Sequence, residues 1–156
     1  MELMTRQDMA ALYERDFVEW TKQNSKLLRQ GYFIEADIEH IAEEIQDMGK
    51  EQKHSLERQM RRLMVHLLKY EFQPGKRSRG WLVSIASARI EITRLLEQNP
   101  SLKRPARQLP IQIYPNAVKL AALETGLGKK AFPPECPYTF DQIMDEDFPP
   151  GSNPED

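Results

Sequence analysis

The chain reads as an all-α protein, a helical bundle built on one long helix. Three observations predict this. The stretch 37–73 keeps Ile38, Ile41, Ala42, Ile45, Met48, Gln52, Leu56, Met60, Leu63 and Leu67 on one side of a helical wheel, with charges opposite. Two further segments repeat apolar residues at helical spacing. Proline and glycine punctuate the segments where helices must stop.

The first helix is expected from Thr5 to Gln30, with Thr5 as N-cap and Asp8 three residues on. Met9, Tyr13, Phe17, Trp20, Leu27 and Leu28 form its stripe, and Gly31 ends it. Two polar residues, Asp16 and Asn24, fall inside that stripe. A buried carboxylate is costly unless paired, so Asp16 is expected to be buried, charged and held by Trp20 or an arginine. After a connector over 32–36, Asp37 caps the long helix, which at ~1.5 Å per residue spans about 50 Å. Gly49 sits on its apolar side, where it costs on the order of 1 kcal/mol relative to Ala. Either it faces inward and lets another helix approach closely, or the helix breaks there; the unbroken phase of the stripe favours the first.

Gln73-Pro74-Gly75 ends the long helix. Ser78 caps a third helix carrying Trp81, Ile85, Ala88, Ile92, Leu95 and Leu96, which stops at Asn99-Pro100. The first and third helices are the antiparallel partners of the long one. A Pro-rich C-terminal segment follows. Leu102–Leu109 is a helical turn or two, Pro115 opens a helix to about Thr125, and Thr139-x-x-Gln142 caps a last short helix over 140–145. Phe148-Pro149-Pro150 should pack back, leaving residues 1–150 as one domain and 151–156 as a frayed tail.

Net charge is −2, but it is partitioned. Residues 1–57 carry 7 Lys/Arg against 13 Asp/Glu, residues 58–107 carry 12 against 3, and residues 108–156 carry 3 against 8. Basic middle helices can lie against acidic outer ones, within one molecule or across a dimer; alternatively the middle presents a basic face to an anionic partner. One cysteine, Cys136, cannot form an internal disulfide, and no apolar run approaches a membrane span. A cytoplasmic setting without a membrane role is the expectation.

Motifs that would specify chemistry are thin. Asp37-x-x-His40 and Glu51-x-x-His54 have di-metal spacing, but both lie on one helix with the histidines on its polar side. His66, at the edge of the apolar stripe, reads as a hydrogen-bonded structural residue. Cys136 has no neighbouring base in sequence, and no phosphate-binding glycine pattern is present. No metal or cofactor is called for. Arg58, Arg61, Arg62, Lys69, Lys76, Arg77 and Arg79 would form one basic surface, the basis of an anion- or nucleic-acid-binding alternative within 58–107.

Several blocks in fixed order carry a family resemblance. They are Tyr13, Asp16 and Trp20; Ala42-Glu43-Glu44-Ile45 through Met48-Gly49; His66-Leu67-Leu68-Lys69-Tyr70; and Arg77-Ser78-Arg79 with Trp81. Asn99-Pro100-Ser101-Leu102, Tyr114-Pro115, Glu124-Thr125-Gly126-Leu127 and Pro134–Pro137 continue the series. The chain resembles the bacterial family known as domain of unknown function number 29 over nearly its whole length. That resemblance implies an all-helical cytoplasmic protein and brings no activity, cofactor or catalytic residue. The expected function is therefore a helical protein-interaction module, acting on another protein or on itself, with anion binding second and a metal-dependent enzyme third.

Overall fold

The computed structural model describes residues 4–151 and contains seven α-helices, with no strand among the described residues. They are α1 (Arg6–Arg15), α2 (Phe17–Gln30), α3 (Ile38–Phe72), α4 (Arg79–Gln98), α5 (Lys103–Ala106), α6 (Leu109–Thr125) and α7 (Phe140–Met144). Packing divides the chain into two compact units, 1–51 and 52–156, and the division falls inside α3. The tail expected to fray lies, beyond Gly151, outside the described residues.

In the first unit, α1 begins on the expected capping box. The Thr5 hydroxyl accepts from the Asp8 amide and Asp8 reaches back to the Thr5 amide. The single helix expected from Thr5 to Gln30 is two helices, and Asp16 is the reason. Its backbone is extended (φ −151°, ψ 89°), and it serves as C-cap of α1 and N-cap of α2. Its carboxylate accepts from the Glu19 amide at 3.1 Å, meeting one of the free donors at the start of α2. Asp16 is exposed. The expected buried, ion-paired aspartate is corrected: a wheel that assumes an unbroken helix puts Asp16 in the stripe, but the break turns it out. Gly31 ends α2 in the left-handed region (φ 81°), as its position after the stripe predicts. Met9, Leu12 and Trp20 form the small core, with Tyr13, Leu27 and Ile41 against it.

In the second unit, the C-terminal half of α3 packs with α4 and α6. Leu63, Met64, Leu67 and Leu68 of α3, Ala88 and Ile92 of α4, and Ala117 and Ala121 of α6 are wholly buried. Ser78 caps α4 through the Trp81 amide. The helix expected to open at Pro115 opens six residues earlier, at Leu109, and Pro115 lies inside it. Proline there removes the N–H that would bond the Ile111 carbonyl. Ile111 is exposed, so water can take that carbonyl, and the helix tolerates the ring. Thr139 and Gln142 form the expected capping box of α7.

The Pro-rich segment is held by polar side chains from the bundle. Tyr114 donates to the Pro133 carbonyl at 2.6 Å, Tyr138 donates to Glu71, and Tyr70 donates to the Gly151 carbonyl at 2.8 Å. Arg89, 6% exposed, donates to the Ile143 carbonyl at 2.8 Å and to the Phe148 carbonyl at 2.5 Å. A buried guanidinium is costly unless its donors are used; here they fasten α7 and the Phe148 segment onto α4.

Candidate functional site

The long helix carries the first candidate. Its apolar stripe sinks into the core from Leu56 to Leu67, where Leu56, Met60, Leu63 and Leu67 are at most 2% exposed. Near the other end, Ile41 packs against the Met9–Leu12–Trp20 cluster. On the same face between these points, Ile45 is 64% and Met48 67% exposed. Gly49 does not face a neighbouring helix: a Cβ built there meets nothing within 4 Å. The inward crossing expected at Gly49 is thereby corrected, while the expected continuity of the helix through it holds. The phase of a stripe reports which side of a helix is apolar, not whether anything covers it. Covering a side chain of this size is worth about 1.5–3 kcal/mol.

A second candidate surrounds the start of α3. Asp37, 2% exposed, accepts from the Trp20 indole N–H at 3.0 Å and sits 2.6 Å from His40 Nδ1. A carboxylate oxygen at that distance accepts, so Nδ1 is the donor and the ring is held in one orientation. The Tyr13 ring stacks on the imidazole at 3.9 Å and donates its hydroxyl to Glu44 at 2.5 Å. That bond to Glu44 is the main reason the Tyr13 phenol is pushed up to about 12. Asn24, 2% exposed as its place in the stripe suggests, accepts from the Asp37 amide at 2.8 Å and donates to the Trp20 carbonyl at 2.9 Å. These bonds tie α2 to the first turn of α3. An oriented imidazole is a base or a single ligand, but no group of three metal-ligating side chains exists among the described residues. Sequence reading noticed the Asp37-x-x-His40 spacing yet assigned His40 to the solvent side, since a wheel does not show Tyr13 folding over it.

Three of the basic residues have partners within the fold. Lys69 pairs with Glu124 at 2.9 Å and lies 4.9 Å from the Trp81 ring centre. Arg62 donates to Gln59. Arg77 donates to the Tyr70 carbonyl at 2.7 Å and stacks on the Tyr70 ring. Arg58, Lys76 and Arg79 are exposed and Arg61 is half-buried. Arg77 and Arg79 border a groove of about 760 Å³ floored by Leu82, Val83, Ala86 and Ile90 of α4. His66 is half-buried, with Nδ1 2.8 Å from the Arg62 carbonyl, and burial pulls its pKa down. Burial likewise pushes the Cys136 thiol up, away from the thiolate that nucleophilic chemistry needs.

Residues 12–149 match the family described as domain of unknown function DUF29. The chain belongs to that family. Within DUF29 the match takes in both candidate regions, the Asp37–His40 cluster and the bare face at Ile45–Gly49. No curated protein and no solved structure matches the chain. No helix among the described residues is long and apolar enough to cross a membrane.

Proposed function

We propose that this DUF29 chain is a cytoplasmic protein-interaction module that docks a partner's helix against the exposed face of α3. One observation carries the reading: a single amphipathic stripe is buried from Leu56 to Leu67 and bare at Ile45 and Met48. A helix that keeps an apolar face where its own fold does not use it has that face available for another protein. The polar cluster around Asp37 supports this in a structural role, since it ties α2 to the first turn of the same helix.

The test is photo-crosslinking in the source cell, with a photoreactive residue at Met48 and a control at exposed Ile111. Protein adducts from position 48 alone, abolished by Ile45→Glu, are the expected result. Equal or absent labelling at the two positions sinks the reading. The anion-binding alternative is measured by fluorescence polarisation with generic DNA and RNA across a salt series. Tight, salt-sensitive binding lost in the Arg77→Ala, Arg79→Ala variant would replace the interaction reading.

A further inference from the structure

We propose that the outward face of α4 is a self-association surface. Its occupant is the α4 of a second copy of this chain, running antiparallel, with the two-fold axis between Ala86 and Ile90. The face lies wholly within the second unit and is separate from the bare stretch of α3.

Helix α4 has two sides. Ile85, Ala88, Ile92 and Leu95 point into the core, each at most 1% exposed. On the other side Arg79, Val83, Ala86, Ile90, Thr93 and Glu97 recur at intervals of four and three residues, the spacing of a coiled-coil seam. At 100° per residue they fall within about 80° of arc. The seam is open to solvent: Val83 is 59% and Ile90 64% exposed, Arg79, Thr93 and Glu97 are exposed, and Ala86 is half-buried. All six line two adjoining grooves of about 760 and 570 Å³ that share Leu82, Ala86 and Ile90. From Arg79 to Glu97 the seam runs about 27 Å.

This seam matches itself when one copy is turned end for end. It carries Arg79 at one end and Glu97 at the other, and neither has an ion-pair partner among the described residues. Arg94, near the acidic end, is already held by Glu91 at 2.9 Å, which leaves Glu97 as the unmatched charge there. An antiparallel partner sets position 79 opposite 97, 83 opposite 93 and 86 opposite 90, each pair occurring twice. Arg79 then meets the partner's Glu97, Val83 meets Thr93 of similar shape, and small Ala86 receives the larger Ile90. A two-fold dimer requires this kind of self-complementary surface. A parallel pairing instead sets Arg79 on Arg79, Glu97 on Glu97 and Ile90 on Ile90. One helix face is a small interface, so the dimer forms in the micromolar range and weakens as salt rises.

Sedimentation equilibrium of the full chain over about 1–100 µM brackets such an affinity. The mass should rise from 18.2 kDa toward twice that value. Val83→Glu with Ile90→Glu should keep the chain monomeric; both side chains are exposed, and circular dichroism checks that the fold survives. Orientation is read by charge reversal. Arg79→Glu or Glu97→Arg alone should weaken dimerisation about three- to tenfold, the scale of two exposed ion pairs, and the double reversal should restore it. Each reversal puts the favoured sign at its end of the helix, so weaker dimerisation does not report a folding defect. In a parallel dimer the single reversals change nothing, because like charges still face like. A wild-type chain monomeric throughout, a dimer that survives Val83→Glu with Ile90→Glu, or single reversals without effect overturns the inference. Crosslinking at Met48 is independent of all three outcomes, so this dimer and docking on α3 stand or fall separately.

Discussion

Two aspartates show how local context decides what a carboxylate does. Asp16 is exposed and its contribution is a helix cap; Asp37 is buried and its contribution is to satisfy Trp20 and His40. Asp16→Ala should therefore cost about 1 kcal/mol, the usual value of an N-cap, well below the 3–5 kcal/mol of a broken buried ion pair. Asp37→Ala leaves a buried indole N–H without a partner and should cost more, about 1–3 kcal/mol. Urea denaturation of both variants gives the order, and Asp16→Ala proving the costlier would reverse these assignments. His66 supplies a pH test. Its pKa is lowered in the folded chain, first by burial and further by Lys69 and Arg62, with the Arg62 carbonyl and Glu124 opposing. The unfolded chain then binds the proton more readily, so stability falls as pH drops below the ordinary value of 6.5. His66→Gln should lose less stability than wild type between pH 7.5 and 5, measured by thermal unfolding at both. Equal losses would show that His66 is not the group responsible.

At the scale of elements, α3 is the clearest success of pattern reading and also its clearest limit. Its length, continuity and apolar face were legible because a 35-residue helix repeats its signal many times. What covers that face was not legible, because cover comes from other segments. The break between α1 and α2 was legible in principle. Asp16 followed by Glu19 is a helix-start pattern, but an unbroken stripe through Met9, Tyr13 and Trp20 hid it. Gly49 decides between the readings of α3 by experiment. With open space around its Cβ, Gly49→Ala should stabilise the protein by on the order of 1 kcal/mol, the helix-propensity difference. Urea denaturation of the variant beside wild type gives the sign and size. A loss of stability there would restore a close inward crossing.

Across the whole molecule, the second unit depends on a feature with no sequence signature. Arg89 lies among apolar positions of α4 and would ordinarily be assigned to a helix's solvent edge. Instead it reaches two carbonyls 54 and 59 residues away. Arg89→Leu keeps the apolar packing of the stem but leaves both carbonyls without this donor. It should cost about 1.5–3 kcal/mol, the range for a charged hydrogen bond, and speed hydrogen exchange selectively over residues 143–149. Uniform acceleration across α4 and α6 would instead mark Arg89 as a general core residue. The sequence by itself determined the helical class, the long central helix, the capping boxes at Thr5 and Thr139 and the family. Each of these is encoded within a few turns of chain, by residue periodicity, caps or ordered motif blocks. Tertiary structure alone decided that Asp37 and not Asp16 is the buried carboxylate, that Arg89 holds the Pro-rich segment, and that Ile45 and Met48 are bare. Burial is a property of what other segments do, and a one-dimensional pattern records only which side of a helix would welcome it.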